Sequence, residues 1–272
     1  MLKNTLLKVG EHLPPSVRTA GAKGLITFSR ITGNNEIKYH YQNHEFKYKY
    51  TDRTTLRRAN KALDNGEIAL EGVKIRDLDH LGEDGHDGII DIGAHFGVYS
   101  VVLAVLNPSL PVWCFEPNEY NLKALENNLV ANNLSNDRVH ARPELVSGTS
   151  GTVEFYEDPR PEGTVNHTLK PAEKHEGHNK IKKQSIALSD LLEDEDIHNP
   201  WVKIDAEGAE DEILEDLLTA PHIDQSAGFV ELHLNREHIT VDGISELLEE
   251  HGYEIEQVKE SPGTPGYLFY PS

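Results

Sequence analysis

The sequence predicts an α/β chain organised as a doubly wound, mostly parallel sheet of seven strands, and three observations carry that prediction. Short apolar runs at 88–92, 111–115, 138–146, 200–204 and 227–233 alternate with segments whose apolar residues recur at helical spacing, the pattern of strands joined by crossover helices. A glycine-bearing turn follows the first run and leads at once into a helix. Acidic residues stand just beyond the second and fourth runs, at the carboxyl ends of strands where open sheets bind ligands.

The elements can be taken in chain order. Residues 1–34 read as one or two short helices, broken at Pro14-Pro15 and at Gly21, Gly24 and Gly33, with Leu2, Leu6, Leu7 and Val9 on an apolar side. From 36 to 50 aromatics alternate with charges around Gln42-Asn43, as Ile37, Tyr39, Tyr41 and then Phe46, Tyr48, Tyr50, which is a hairpin pattern suited to capping a larger domain. Residues 56–63 read as helical and 82–88 as a glycine-rich acidic turn. The chain of 272 residues therefore divides into a helical segment with a hairpin cap at 1–80 and a main domain at 81–272. Within the main domain, helices are expected at 98–106, 120–132, 209–218 and 244–251. The tail supplies an antiparallel hairpin, with strands at 253–258 and 267–270 around a Pro-Gly turn. The stretch 157–184, with Pro159, Pro161, Pro171, Gly163, Gly177 and five lysines, reads as a mobile loop, either a solvated insertion or a functional lid. No internal repeat is present.

Composition excludes several classes. With 26 Lys plus Arg against 46 Asp plus Glu, the formal net charge is -20, which argues against nucleic-acid binding, since phosphate contacts need clustered basic residues. Hydrophobic residues make up 37% and charged residues 26%, a solvated acidic surface resembling that of salt-accumulating halophile proteins. Cys114, between Trp113 and Phe115, reads as a buried structural thiol, and one cysteine forms neither an intrachain disulfide nor a cysteine zinc site. Lys8 and Glu11 interrupt the opening residues before a signal peptide or membrane span can build, so a cytoplasmic location is expected. Charge is also uneven. Residues 1–58 carry 11 basic against 4 acidic side chains, which suits peripheral contact with an anionic membrane surface carrying a glycolipid acceptor.

Three motifs carry the chemistry. The first is Asp91-Ile92-Gly93-Ala94-His95-Phe96-Gly97, a strand-to-helix turn whose glycines allow close backbone approach to a ligand beside exposed helix N–H groups. Its spacing does not match the G-x-G-x-x-G of nicotinamide sites. The second is Phe115-Glu116-Pro117-Asn118, which puts Glu116 at the end of the next strand, where a carboxylate accepts hydrogen bonds from both ribose hydroxyls of an adenosine or, alternatively, serves only as a helix N-terminal acid. The third is Lys203-Ile204-Asp205-Ala206-Glu207-Gly208-Ala209-Glu210 past the fourth strand. Asp205 and Glu207 there are placed to position a substrate hydroxyl, accept its proton or hold a metal, while Glu207 and Glu210 also suit a plain helix start.

In this order and spacing the motifs resemble those of FkbM-type S-adenosylmethionine-dependent methyltransferases, over residues 88–258. The family's D-x-G-A-x-x-G loop falls on Asp91, Gly93, Ala94 and Gly97, its F-E-P-N on Phe115 to Asn118 with Asn127, Asn128 and Leu129 continuing it, and its K-I-D-x-E-G-A-E on Lys203 to Glu210. Leu188-Ser189-Asp190-Leu191 matches the preceding L-D-D-L-like stretch with Ser189 replacing an acid, and His95 stands where the family most often has Asn. The resemblance implies a class I methyltransferase sheet of Rossmann-like type. It also implies S-adenosylmethionine held by the Asp91 to Gly97 loop, Glu116 on its ribose beside Asn118, and methyl transfer to oxygen on sugars, glycolipids or secondary metabolites.

A sulfonium methyl is already activated, so the protein has chiefly to align the acceptor and exclude water. Asp205, Glu207 and His233 are the expected catalytic residues, with His233 in Phe229-Val230-Glu231-Leu232-His233 offering a base with an ordinary pKa near 6.5. No metal is expected, but if one binds, Asp205, Glu231 and His233 are its natural ligands, with magnesium or manganese favoured. The loop lysines 170, 174, 180, 182 and 183 suit steering of a phosphorylated or uronate-bearing sugar. A nucleotide-sugar or dinucleotide enzyme on the same sheet, and a catalytically silent binding module, are the competing readings.

Overall fold

The computed structural model describes residues 36–41, 43–49, 69–70, 73–134, 137–158, 177–221, 223, 225–234 and 238–272. The helices expected within 1–34 and at 56–63, and the centre of the 157–184 stretch, lie outside them.

Four strands precede the main sheet: β1 (Glu36–Tyr41), β2 (His44–Lys49), β3 (Ala69–Leu70) and β4 (Val73–Lys74). The first two form the expected antiparallel hairpin, with Tyr41 opposite His44. The sheet then begins with β5 (Gly88–Ile92), all five residues buried, as an apolar run covered on both faces must be. It continues through α1 (Val98–Leu106), β6 (Val112–Phe115), α2 (Glu119–Ala131) and β7 (Val139–Arg142). Four valines give α1 a weak intrinsic helix preference, which burial of most of its surface overrides. Helix α2 is capped at its start by Asn118, whose side chain accepts from the Asn121 N–H at 3.0 Å.

The run expected as one strand at 138–146 is two. Strand β7 ends at Arg142, and Leu145–Ser147 becomes β8 in a different sheet. Pro143 between them has no N–H to continue the ladder and restricts the residue before it. The 157–184 stretch is corrected at both ends. Strand β9 (Gly151–Glu157) reaches its start, and β10 (Asn179–Ala187) begins within its final residues, pairing antiparallel with β9 and parallel with β8. Lysines do not prevent a strand here because Lys180 and Lys182 flank Ile181 and both reach Glu154 on β9, Lys182 directly opposite it and Lys180 in an ion pair at 2.7 Å.

After α3 (Leu188–Asp194), which is a helix where the sequence showed only a polar stretch, come β11 (Pro200–Ile204), α4 (Glu210–Thr219), β12 (Ala227–Glu231), α5 (Val241–Glu250), β13 (Tyr253–Lys259) and β14 (Gly266–Pro271). The large sheet has the order β13-β14-β12-β11-β5-β6-β7, with β14 antiparallel to both of its neighbours and the rest parallel. The chain winds outward from β5 to β7, then restarts at β11 on the other side of β5. The switch point therefore lies between β5 and β11, where such sheets open a ligand crevice.

The two faces of the sheet carry separate cores. One joins Val101, Leu103, Leu125 and Leu129 of α1 and α2 to Phe46 and Tyr48 of β2; the other joins Leu191, Ile213, Leu217 and Leu248 of α3 to α5. Among the described residues no helix is long and apolar enough to cross a membrane.

Candidate active site

An open cleft lies at the carboxyl ends of β5, β6 and β11, where sheets of this kind bind ligands. Gly93, His95, Glu116, Asp205 and Glu207 line it from the three motifs; Phe115, Pro117, Asn121, Glu144, Leu145, Val146 and Phe155 complete its floor and walls.

The turn after β5 cannot be made by other residues. Gly93 has φ of 71°, and a Cβ there would lie 2.0 Å from the Asp205 carbonyl oxygen, so the two strand ends touch through backbone alone. Gly97 has φ of 85° and a Cβ there would meet Leu125. His95 (φ 53°) and Glu207 (φ 53°), on two loops facing the cleft, hold the same left-handed region without being glycine, a strain of order 1 kcal/mol each.

Beneath this turn lies a buried ionic network. The Lys203 ammonium donates to the carbonyls of Ile92 at 3.0 Å and Gly93 at 2.8 Å, and pairs with Asp91 at 3.2 Å and Asp205 at 3.5 Å. Burial works against its charge, but Asp91 and Asp205 outweigh it and leave its pKa above the usual lysine value. Asp91, fully buried, also accepts from the Ser100 hydroxyl at 2.6 Å. Asp91 therefore acts on the loop from below, and Lys203, which sequence reasoning did not single out, is the cation that ties the loop to β11. A lysine inside the apolar run Trp201-Val202-Lys203-Ile204 was its one signal.

Glu116 ends β6 facing the cleft. The His95 N–H donates to its Oε2 at 2.8 Å, the Asn118 N–H to its Oε1 at 2.9 Å, and the Asn121 amide reaches Oε1 at 3.4 Å. Burial pushes its carboxyl up to about 7 despite these donors. Asn118 stands one step back, its side chain capping α2 and donating to Glu157 at 2.8 Å. Ala94 is buried under the loop, where its N–H and that of Gly93 bond to the Phe115 carbonyl.

At the other end of the cleft, His233 gathers the acids. Its Nδ1 is 2.7 Å from Glu210, and its Nε2 is 3.4 Å from Glu207, 3.8 Å from Asp205 and 4.0 Å from Glu231. Burial disfavours its charge, but Glu207 and Glu210 raise the ring to about 11, far from the value near 6.5 on which a base role was expected. His233 is an imidazolium at neutral pH. Burial also raises the Asp205 carboxyl, yet Lys203, His233, Lys259 and His95 together bring it below its ordinary value. Asp205, Glu231 and His233 do converge, each offering one atom within 4.8 Å of the others, but Glu231 is already in contact with the Lys259 ammonium.

The arrangement is a loop-and-acid pocket at one end and a charged, partly buried corner at the other. The sequence profile of the Methyltransferase FkbM domain matches residues 91–255, which holds every residue that lines this cleft. The chain belongs to that family. Residues 91–255 of this FkbM chain thus form a methyltransferase domain with S-adenosylmethionine as methyl donor.

Solved structures similar to the FkbM chain include the methyltransferase FkbM of Methylobacillus flagellatus KT, at 17% identity and a TM-score of 0.47 over 67% of this chain and 43% of that one. The METTL16 methyltransferase domain is similar at 16% identity and a TM-score of 0.42, over 72% and 64% of the two chains. M. jannaschii TYW2 in complex with AdoMet is similar at 11% identity and a TM-score of 0.42, over 88% and 86%. The chain thus spans less than two thirds of the first two. No curated protein matches it.

The donor fits the residues present. Glu116 offers a desolvated carboxylate at the β6 end, and the cleft beside it is walled by Ile92, Gly93, His95, Phe115 and Asp205.

Proposed function

We propose that this protein is an O-methyltransferase that methylates a hydroxyl, less readily a carboxylate, of a sugar, glycolipid or secondary metabolite. The observation that carries the reading is the single cleft with Glu116 at one end and the Asp205, Glu207 and His233 corner at the other. When bound, S-adenosylmethionine supplies a methyl group already activated on a sulfonium. Glu116 would receive the ribose hydroxyls, and the Gly93 to Gly97 loop would hold the donor against β5.

Asp205, held as a carboxylate by Lys203 and His233, would accept a hydrogen bond from the acceptor hydroxyl and receive its proton. Glu207 orients the same hydroxyl. His233 keeps both carboxylates anionic rather than acting as the base itself. Phe115, Leu145, Val146 and Phe155 exclude water from the walls. Outside the cleft, the basic section 1–58 favours approach to an anionic membrane surface, and the acidic remainder suits a cytoplasm rich in salt.

Calorimetry with S-adenosylhomocysteine and with NAD tests the donor half of this reading, and heat from the second ligand alone would overturn it. Incubation with labelled methyl donor and a cell extract, followed by identification of the product, tests the acceptor half. A label on nitrogen or carbon would refute methylation of oxygen.

A further inference from the structure

We propose that the β1–β2 hairpin is part of the cofactor-binding apparatus, with Asn128 and Tyr48 as positioning residues for the loop after β5. The inference rests on that loop holding the donor. The hairpin itself, at residues 36–49, lies outside the segment that the family profile matches.

The connection runs through side chains of unusual placement. Asn128, on α2, is fully buried; its Nδ2 donates to the Phe96 carbonyl in the loop at 2.7 Å, and its Oδ1 accepts from the Lys49 N–H of β2 at 2.6 Å. One turn further along α2, Asn132 exchanges bonds with both backbone groups of Lys47, at 2.8 and 2.6 Å. The two asparagines thus occupy the free edge of β2, which would otherwise present unpaired backbone groups. Tyr48, with 1% of its surface exposed, points inward and donates its hydroxyl to the Val98 carbonyl at 3.1 Å, where the loop becomes α1.

The peptide from His95 to Val98 is therefore held on two sides. From the cleft Glu116 takes the His95 N–H; from behind, Asn128 and Tyr48 take the carbonyls of Phe96 and Val98. That span contains His95 in the left-handed region, a conformation that a residue other than glycine keeps only where its surroundings over-determine it. Without the hairpin, the carbonyl of Val98 loses its outside donor and Asn128 loses the backbone group that fixes its amide. The loop would then visit conformations that do not bind, and apparent affinity falls by the fraction of competent molecules.

The test uses the full chain with Tyr48→Phe, which removes one hydroxyl, and Asn128→Asp, which keeps the acceptor for Lys49 but replaces the donor to Phe96 by a charge. Ser189→Ala is the control, since Ser189 bonds to Asp216 on the opposite core. The dissociation constant for S-adenosylhomocysteine, the melting temperature and hydrogen exchange over 93–101 are read for each. Tyr48→Phe should weaken binding about fivefold and Asn128→Asp about twentyfold or more, the energies of one neutral and one charge-affected hydrogen bond. Both should speed exchange in the loop, whereas Ser189→Ala should lower the melting temperature with affinity kept within about twofold. If Tyr48→Phe and Asn128→Asp lower the melting temperature but bind like the unaltered chain, the hairpin is structural only and the inference is wrong. If the unaltered chain itself shows no binding, the donor reading fails instead, and this inference falls with it.

Discussion

The His95 N–H donates to Glu116 Oε2 at 2.8 Å, so the acid that ends β6 fixes the loop that ends β5. One carboxylate serves the geometry of two strands and lines the cleft as well. Its raised pKa, about 7, makes both duties depend on pH.

Glu116 should make donor affinity rise with pH. The ionised carboxylate is the better acceptor of hydroxyl protons, so S-adenosylhomocysteine should bind several-fold more tightly at pH 8 than at pH 6 by calorimetry. Stability should move the opposite way. The folded pKa lies above the ordinary 4.5, so the folded chain binds the proton more strongly, and stability falls as pH rises from 4.5 through about 7, by at most roughly 3 kcal/mol. Glu116→Gln should weaken the donor at pH 8 and abolish the pH dependence, and equal affinity of the unaltered chain at both pH values would contradict this account.

Asp205→Asn should leave donor binding nearly intact while lowering turnover by about 100-fold, the scale of a lost proton acceptor. Steady-state rates with the identified acceptor, beside calorimetry, separate the two effects. Unchanged turnover would remove Asp205 from the chemistry.

Gly93→Ala should destabilise the fold by about 3 kcal/mol or more, because its Cβ would need the place of a backbone carbonyl oxygen and the residue sits at positive φ. Gly97→Ala meets the end of the Leu125 side chain instead, which can turn aside, so it should cost less. Urea unfolding of the two variants checks the order.

Chelation should not slow the enzyme. Asp205 and Glu231, the acids a divalent ion would use, already face Lys203, Lys259 and the His233 imidazolium, three cations that would have to be displaced or deprotonated. Turnover after dialysis against EDTA should match the untreated enzyme. Loss of activity restored by magnesium or manganese would show that the ion wins that competition.

Much of this was legible in the sequence where local pattern and tertiary role coincide. Strands β5 and β11 fall on the expected 88–92 and 200–204 because central parallel strands are buried on both faces and must be continuous apolar runs. The placement of Glu116 and Asp205 in one cleft followed from their positions at the ends of such strands. What could not be read depends on partners far along the chain. His233 looks like an ordinary histidine until Glu207 and Glu210 are brought against it, and Asn128 and Asn132 resemble solvated helix polar residues until β2 supplies backbone groups for them. Lys180 to Lys183 conceal a strand because alternation with Ile181 is weak evidence beside so many charges.

The break at Pro143 reaches beyond the local ladder. Because the backbone peels off the sheet margin after Arg142, Glu144, Leu145 and Val146 are released to stand upright as one bank of the binding trough. The turn that ends one ladder thus supplies a wall of the cleft.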